Sequence, residues 1–385
     1  MPKYTNKSIT KKTSNKLNLS LASRKHTKHT KHTKHNKDLY LHSHSQEYPF
    51  YKNAYKLNLS RITHIIKTMK QQLYIYTKPP NNYKGYPAHK FKTLDIGTKQ
   101  IGKQQQNRKQ QQNQKQQYYI IKSAWNDNIE LNSLTDYFTE PCRIQCTFKN
   151  RQSPLEYWNK NRQSILASLK NKHQQSTIHN LQEEIYIRNK PCNNFRISVC
   201  LEVLNLFKPK KWLDISAGWG DRLLSALLYA QLNTQFQMYC GVDPNPCLHP
   251  YYQEMIQTFT TTKKANYILI QDGFETAKLP DTKFDLVFSS PPFFDLEIYS
   301  KANANSLVKY KGEDGWFNGF LMPSLNKANE YLENDGHLVL YMGESQGTKY
   351  IPKMVELMNA RMKNIGMFYY TDSVKIREFF CWRKN

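Results

Sequence analysis

The chain has 385 residues, 39% of them hydrophobic and 13% aromatic, which leaves room for one or two domains and a sizeable core. Lys and Arg number 56 against 30 Asp and Glu, and the excess is concentrated: residues 1–117 carry 25 basic and 3 acidic side chains, residues 118–385 carry 31 and 27. Seven cysteines at scattered spacing argue against a disulfide scaffold, and no stretch approaches the ~18 apolar residues of a membrane span. Met1 leads into no apolar signal segment, so a soluble intracellular protein, cytoplasmic or nuclear, with no membrane partner is expected. The charge imbalance points to a polyanionic partner.

Residues 1–117 read as a basic, low-complexity, largely disordered arm. Lys-His-Thr recurs from Lys25 to His35, and Gln and Asn with Lys and Arg fill Lys99–Gln117. A polar chain dominated by one sign of charge cannot bury enough apolar surface to offset its ordering entropy. The Lys/His tract suits nonspecific phosphate contact and a solvated tail equally; for the Gln/Asn tract the solvated tail is preferred. Spaced histidines in such a tail are read as adventitious metal binders, and the repeat of KLNLS at Lys16 and Lys56 as coincidence. One segment departs from the pattern. Ile62, Ile65, Ile66, Met69 and Leu73 form an i, i+3, i+4, i+7 stripe, predicting a short amphipathic helix able to dock on the folded part.

From residue 118 the composition becomes ordinary. Residues 118–190 are read as a small accessory module and 191–385 as the main domain. Ser153-Pro-Leu-Glu156 predicts a capped helix over 153–172, and Ile197–Phe207 a second that stops before Pro209. Strands are predicted at 211–215, 238–242, 267–270, 284–289 and 337–342, with helices at 221–231, 248–259, 316–333 and 352–363 between and after them. Two closing strands, 367–370 and 374–382, are joined by too short a link for a crossover, so they form a hairpin. The fold class is therefore α/β: a doubly wound, mostly parallel sheet ending in an antiparallel hairpin. Cys142 and Cys146 form a C-x3-C, but without a second tight pair they are read, with Cys192 and Cys200, as buried free thiols rather than a metal site.

In such a sheet ligands bind beyond the carboxyl ends of the strands. The first strand ends in Asp214-Ile-Ser216-Ala-Gly218-Trp-Gly220, the second in Gly-Val-Asp243-Pro. The third ends in Gln-Asp272-Gly-Phe274, the fourth in Ser-Ser290-Pro291-Pro292-Phe293-Phe294. Each has a bland reading: a tight turn at the glycines, a helix N-cap at Asp243, a turn at Asp272, a rigid loop start at the prolines. All four at successive strand ends, with spacings of 29, 29 and 18 residues from Asp214 through Asp243 and Asp272 to Ser290, are hard to obtain by accident.

Together these strand ends, over about 193–382, resemble the Rossmann-like S-adenosylmethionine-dependent methyltransferases. The fourth resembles the (D/N/S)-P-P-(Y/F/W) motif of the branch that methylates exocyclic amino groups of bases. The resemblance implies S-adenosyl-L-methionine as cofactor. Asp214, Ser216, Gly218 and Gly220 would hold its methionine part, Asp243 its ribose and Asp272 its adenine, with Phe274 against the ring. Asn194 and Phe195 would line the same site. Ser290, Pro291, Pro292 and Phe293 would be catalytic, with Phe294 beside the substrate; the carboxylates of Asp295 and Glu297 that follow either bind the base edge or cap the loop. An exocyclic amine is a poor nucleophile because its lone pair is delocalised into the ring. Acceptors at the Ser290 side chain and the Pro291 carbonyl would hold its protons and favour a pyramidal nitrogen, while Phe293 stacks on the base. Serine in place of Asp or Asn leaves adenine and cytosine both open. Target recognition would come from the N-terminal region or the long loop after the fourth strand.

The function expected is methyl transfer to a base amino group of nucleic acid, DNA ahead of RNA. The rivals are an RNA base methyltransferase and a catalytically silent nucleic-acid-binding subunit. The Lys, Asn, Gln, Ile and Tyr content suits an AT-rich genome, such as a large DNA virus or a protist. Recognition sequence and oligomeric state are not legible.

Overall fold

The computed structural model describes residues 47–96, 117–149, 151–260, 265–299, 305–344, 347–372 and 374–385. In chain order it begins with α1 (Tyr51–Ala54), α2 (Leu59–Thr68), β1 (Leu73–Tyr76) and β2 (Tyr118–Lys122). Asn58 caps α2 by accepting from the Arg61 amide at 3.0 Å, and the predicted stripe buries Ile62 and Ile66 against the main core. β1 pairs antiparallel with β2, and β2 lies parallel to a strand of the C-terminal hairpin. Residues 47–96, expected within the arm, therefore belong to the folded part. Ile62, Ile66, Leu94 and Ile96 join the main core, Tyr48 the cluster around Trp158 and Ile165, and Phe91 the cluster around Ile120 and Tyr369. The Lys-His-Thr tract, the first KLNLS and nearly all of the Gln/Asn tract lie outside the described residues.

Next come α3 (Ile129–Asn132), α4 (Asp136–Arg143), β3 (Thr147–Phe148), α5 (Pro154–Asn171), α6 (Ile178–Arg188) and α7 (Ile197–Phe207). Ser153 and Glu156 close the predicted capping box reciprocally at 3.2 Å each, and Pro154 opens α5. α5 and α6 pack around Trp158, Ile165, Leu169, Leu181 and Ile185. Residues 118–190, expected as an accessory module, also contribute to the main fold: β2 extends the main sheet, and α4 gives Phe138 and Cys142 to the main core. Cys142 is not a free thiol but is bonded to Cys247, 105 residues away, a pairing that scattered spacing conceals until the fold brings the Cα atoms to 6.0 Å. Cys146, Cys192 and Cys200 are free and buried.

The remainder is β4 (Lys211–Asp214), α8 (Asp221–Leu232), β5 (Met238–Val242), α9 (His249–Phe259), β6 (Asn266–Ile270), β7 (Phe284–Ser289) and β8 (Glu297–Ile298). After these come α10 (Ser306–Lys309), α11 (Gly312–Trp316), a π-helical turn over Phe317–Leu321, and α12 (Met322–Tyr331). β9 (Leu332–Tyr341), α13 (Tyr350–Asn359), β10 (Lys363–Thr371) and β11 (Ile376–Arg383) complete the chain. The strands form one sheet in the order β1-β2-β10-β11-β9-β7-β4-β5-β6, and β3 pairs with β8 apart from it. β6, β5, β4, β7 and β9 are parallel, and β11 enters antiparallel between β9 and β10.

Alternate strand residues feed opposite faces. Trp212, Leu286, Phe288 and Val339 meet α7 and α8, whereas Leu213, Val287, Leu338 and Leu340 meet α12 and α13. Winding runs outward from β4 to β5 and β6 and, the other way, from β7 to β9. The direction therefore reverses between β4 and β7, whose carboxyl ends are neighbours. This is the doubly wound, mostly parallel sheet with a terminal hairpin that the sequence predicts. No helix among the described residues is long and apolar enough to cross a membrane.

Candidate active site

At the reversal the strand ends open on a cleft of about 1760 Å³. Asn194, Phe195, Ser216, Gly218, Asp243 and Asp272 line one part of it; Ser290, Pro291, Pro292 and Phe293 line another. The bend after β4 needs its glycines. Gly218 has φ +60° and Gly220 φ +92°, backbone that side-chain-bearing residues rarely adopt. The bend presents the Gly218 amide to Asp243 Oδ2 at 2.9 Å. Gly220 lies behind the cleft wall, where its φ calls for glycine and the nearest atoms to a Cβ would be the movable end of Met255 on α9.

Asp214 also lies behind the wall, at 0% exposure. Its Oδ2 accepts from Arg222 Nε and the Tyr239 hydroxyl, both at 2.8 Å, and its Oδ1 accepts from the Ser289 hydroxyl at 2.7 Å and the Ser216 amide at 3.3 Å. Arg222 in turn donates to the Ser216 carbonyl. Burial alone would lower the Arg222 pKa, but Asp214 and Tyr239 outweigh it and keep the guanidinium charged. Asp214 is thus a hub fixing the glycine bend of β4 relative to the end of β7, one residue before Ser290. Its partners Arg222, Tyr239 and Ser289 carried no signal of this role in the sequence.

Asp243 keeps its place at the cleft, with Oδ1 accepting from the Asn245 amide at 2.9 Å. Burial pushes its carboxyl up to about 6, against the two amide bonds that hold it down. Asp272 is exposed, its Oδ1 capping a turn through the Gly273 amide at 2.7 Å and Thr276 Oγ1 at 3.1 Å. Phe274 borders the cleft but is only 1% exposed, with the Lys327 ammonium 5.6 Å from its ring centre, so little of its face is presented.

The segment before α7 is held from α4 and α8. Asn194 Nδ2 donates to Asp136 Oδ1 at 2.8 Å, and Arg143 grips the same oxygen at 2.6 Å. The Phe195 amide donates to Asp221 Oδ2 at 3.2 Å, and burial raises Asp221 to about 7. Asn194 Oδ1 is a buried acceptor without a partner. Asp136 and Arg143 border the cleft, a role sequence reasoning left unassigned because their partner lies some 50 residues on.

The Ser290 loop is short and braced. The Leu296 amide donates to the Phe293 carbonyl at 3.1 Å, closing a turn in which Phe294 takes φ +48°. Phe293 rests against Tyr341, ring centres 5.7 Å apart. Phe294 turns away, edge-on to Trp316 at 5.6 Å, and Asp295 is exposed; neither lines the cleft. Glu297 does border it, but its Oε1 accepts from the Asn193 amide at 2.8 Å and Asn193 Nδ2 at 2.6 Å, tying the loop to the segment before α7. The β3–β8 pair anchors the same loop to α4.

No protein-family model matches the sequence, and no curated protein matches it. Among solved structures, TrmN from Thermus thermophilus overlays at 12% identity and TM-score 0.36, covering 50% of this chain and 49% of its own, so the chain spans about half of its length. An rRNA methylase from Streptococcus thermophilus overlays at 13% identity and TM-score 0.34, covering 50% and 98%. A putative class I S-adenosylmethionine-dependent methyltransferase from Listeria monocytogenes does so at 13% and 0.35, covering 68% and 83%. Overlaps this loose carry no argument. The strand order, the reversal between β4 and β7 and the inserted β11 show the architecture by themselves: a doubly wound, mostly parallel α/β sheet finished by an antiparallel hairpin.

Proposed function

We propose that the chain transfers a methyl group from S-adenosyl-L-methionine to an exocyclic amino group of a base in nucleic acid, adenine N6 or cytosine N4, with DNA ahead of RNA. The observation that supports this reading is that the glycine bend with Asp243 and the Ser290-Pro291-Pro292-Phe293 loop line a single cleft.

The residues fit the cofactor. The Asp243 carboxylate suits the ribose hydroxyls. Gly218 puts no side chain of its own into the bend, and Asn194 offers an acceptor with no partner of its own. Bound there, the cofactor supplies an electrophilic methyl on a sulfonium. The chain's own work is at the amine. The Ser290 hydroxyl and the Pro291 carbonyl accept its two N–H bonds, drawing the nitrogen toward a pyramidal shape with its lone pair free. Pro291 and Pro292 restrict the backbone behind that carbonyl, and Phe293, backed by Tyr341, offers a ring face to the extruded base. The amine loses its proton after attack, so no strong general base is required. Asp214 acts at a distance, through Ser289 and the bend.

Ser290→Ala and Phe293→Ala are each expected to reduce transfer by about a hundredfold or more while calorimetry shows S-adenosylmethionine affinity within about threefold of wild type. Normal methylation by both variants removes the catalytic assignment. No measurable binding of the cofactor by the wild type favours the silent nucleic-acid-binding subunit instead.

A further inference from the structure

The cleft continues past Phe293 to the hairpin turn. β10 runs antiparallel to β11, itself antiparallel to β9, so the carboxyl end of β10 lies at the same end of the sheet as Ser290. Tyr370, Lys375 and Arg377 line this end, and Lys190, just beyond α6, joins them from another part of the chain. The acids nearby are engaged. Asp372 accepts from Arg377 Nη2 at 2.7 Å and from the amides of Val374 and Lys375 at 3.0 and 3.1 Å; burial opposes ionisation, but these bonds win and hold the carboxyl at about 2. Glu297 is bonded to Asn193, and Glu378 to the Tyr86 hydroxyl.

Two of the cations are not ion-paired. Among the described residues neither Lys190 nor Lys375 has an ion-pair partner, and both are exposed. Lys190 sits 4.4 Å over the Phe148 ring, and its pKa is lowered by the partial covering of its ammonium end and by Arg377 and Lys375, against the opposing pull of Glu297. Arg377 has one nitrogen spent on Asp372, while its Nη1 is buried with no hydrogen-bond partner. A buried charged donor without an acceptor is costly and marks a place for one. Three cationic side chains from two chain segments, one with an orphaned donor, suit an anion with several acceptor oxygens.

We infer that Lys190, Lys375 and Arg377 form a phosphate-binding subsite for the nucleotide whose base lies against Phe293. The inference rests on the nucleic-acid reading above and adds to it that the enzyme selects a nucleotide within a strand over a free nucleoside.

The test is a Lys190→Ala/Lys375→Ala double variant, since both side chains are exposed and outside the cofactor and catalytic sets. Fluorescence anisotropy of labelled single-stranded DNA and RNA oligonucleotides is followed against salt, beside cofactor calorimetry and methylation of oligonucleotide and free nucleoside. Expected are an oligonucleotide Kd and KM raised about tenfold for the polymer that the wild type methylates, kcat within about twofold, and a salt slope shallower by about one. Cofactor affinity and nucleoside methylation stay unchanged, and the Lys190→Arg/Lys375→Arg variant recovers binding. Wild-type affinity and slope in the alanine variant overturn the subsite, as does a wild type that binds neither polymer. A wild type that binds but methylates nothing instead sinks the transfer reading, and the anisotropy comparison still decides the subsite.

Discussion

Asp214 and Asp243 stand 29 residues apart in sequence and do opposite work. Asp214 spends all its bonds inside the protein, so Asp214→Ala strands the buried Arg222 guanidinium; urea denaturation is expected to show a loss of about 3–5 kcal/mol. Asp243 faces the cleft with its carboxyl raised to about 6 from 3.8. The folded state therefore binds its proton more tightly than the unfolded one. Its contribution to stability is full below pH 3.8 and is lost as the pH rises through about 6. Cofactor binding runs the other way if the ribose hydroxyls need the carboxylate. Calorimetry is then expected to show affinity falling toward tenfold per unit as the pH drops below about 6, and a flat profile contradicts that role. What was legible at this scale was residue type at strand ends, which brought Ser216, Gly218, Asp243 and Ser290 to one cleft. The inward turn of Asp214 was not legible, because Tyr239 and Ser289 reach it from strands whose pairing the sequence does not state. Phe294 and Asp295 were assigned by adjacency, yet the turn after Phe293 carries both out of the cleft.

Elements with a strong local signal were read closely: the capped α5, the strands β5 and β7, and the hairpin forced by its short link. Those missed are short or polar. β3 and β8 have two residues each, β1 sits in basic chain, and the first half of β9, Glu333-Asn-Asp-Gly336, looks like a loop. β9 crosses it as an irregularity: the register with β7 jumps from Phe284–Leu332 to Leu286–His337, and Asp335 takes φ +63°. Residues 93–96 illustrate the same point, since they are held to β10 by three contacts. Asp95 donates its amide to the Ile365 carbonyl at 2.8 Å, Met367 to Thr93 at 3.0 Å, and Leu94 bridges Gly366. Gly366 has φ +103°, and a Cβ there would lie 1.7 Å from the Thr93 carbonyl oxygen. Gly366→Ala is therefore expected to cost at least about 2 kcal/mol by denaturation and to speed amide exchange at Asp95. Unchanged exchange would show that this strap is not closed on β10.

For the whole molecule the charge division needs a physical use. Residues 1–46 hold eleven basic residues and one acid, outside the described part of the chain. On the nucleic-acid reading, removing them leaves cofactor affinity unchanged and makes the salt dependence of oligonucleotide binding shallower. An unaltered slope would mean that the tract is a solvated tail. The central claim is chemical, and one measurement reaches it most directly. The full chain is incubated with genomic DNA, or in parallel with structured RNA, and S-adenosylmethionine carrying an isotope-labelled methyl group. The polymers are then digested to nucleosides for mass spectrometry. The account predicts labelled N6-methyladenine or N4-methylcytosine, absent with Ser290→Ala. Label on a ring carbon or a sugar oxygen, or no labelled nucleoside from either polymer, would contradict it.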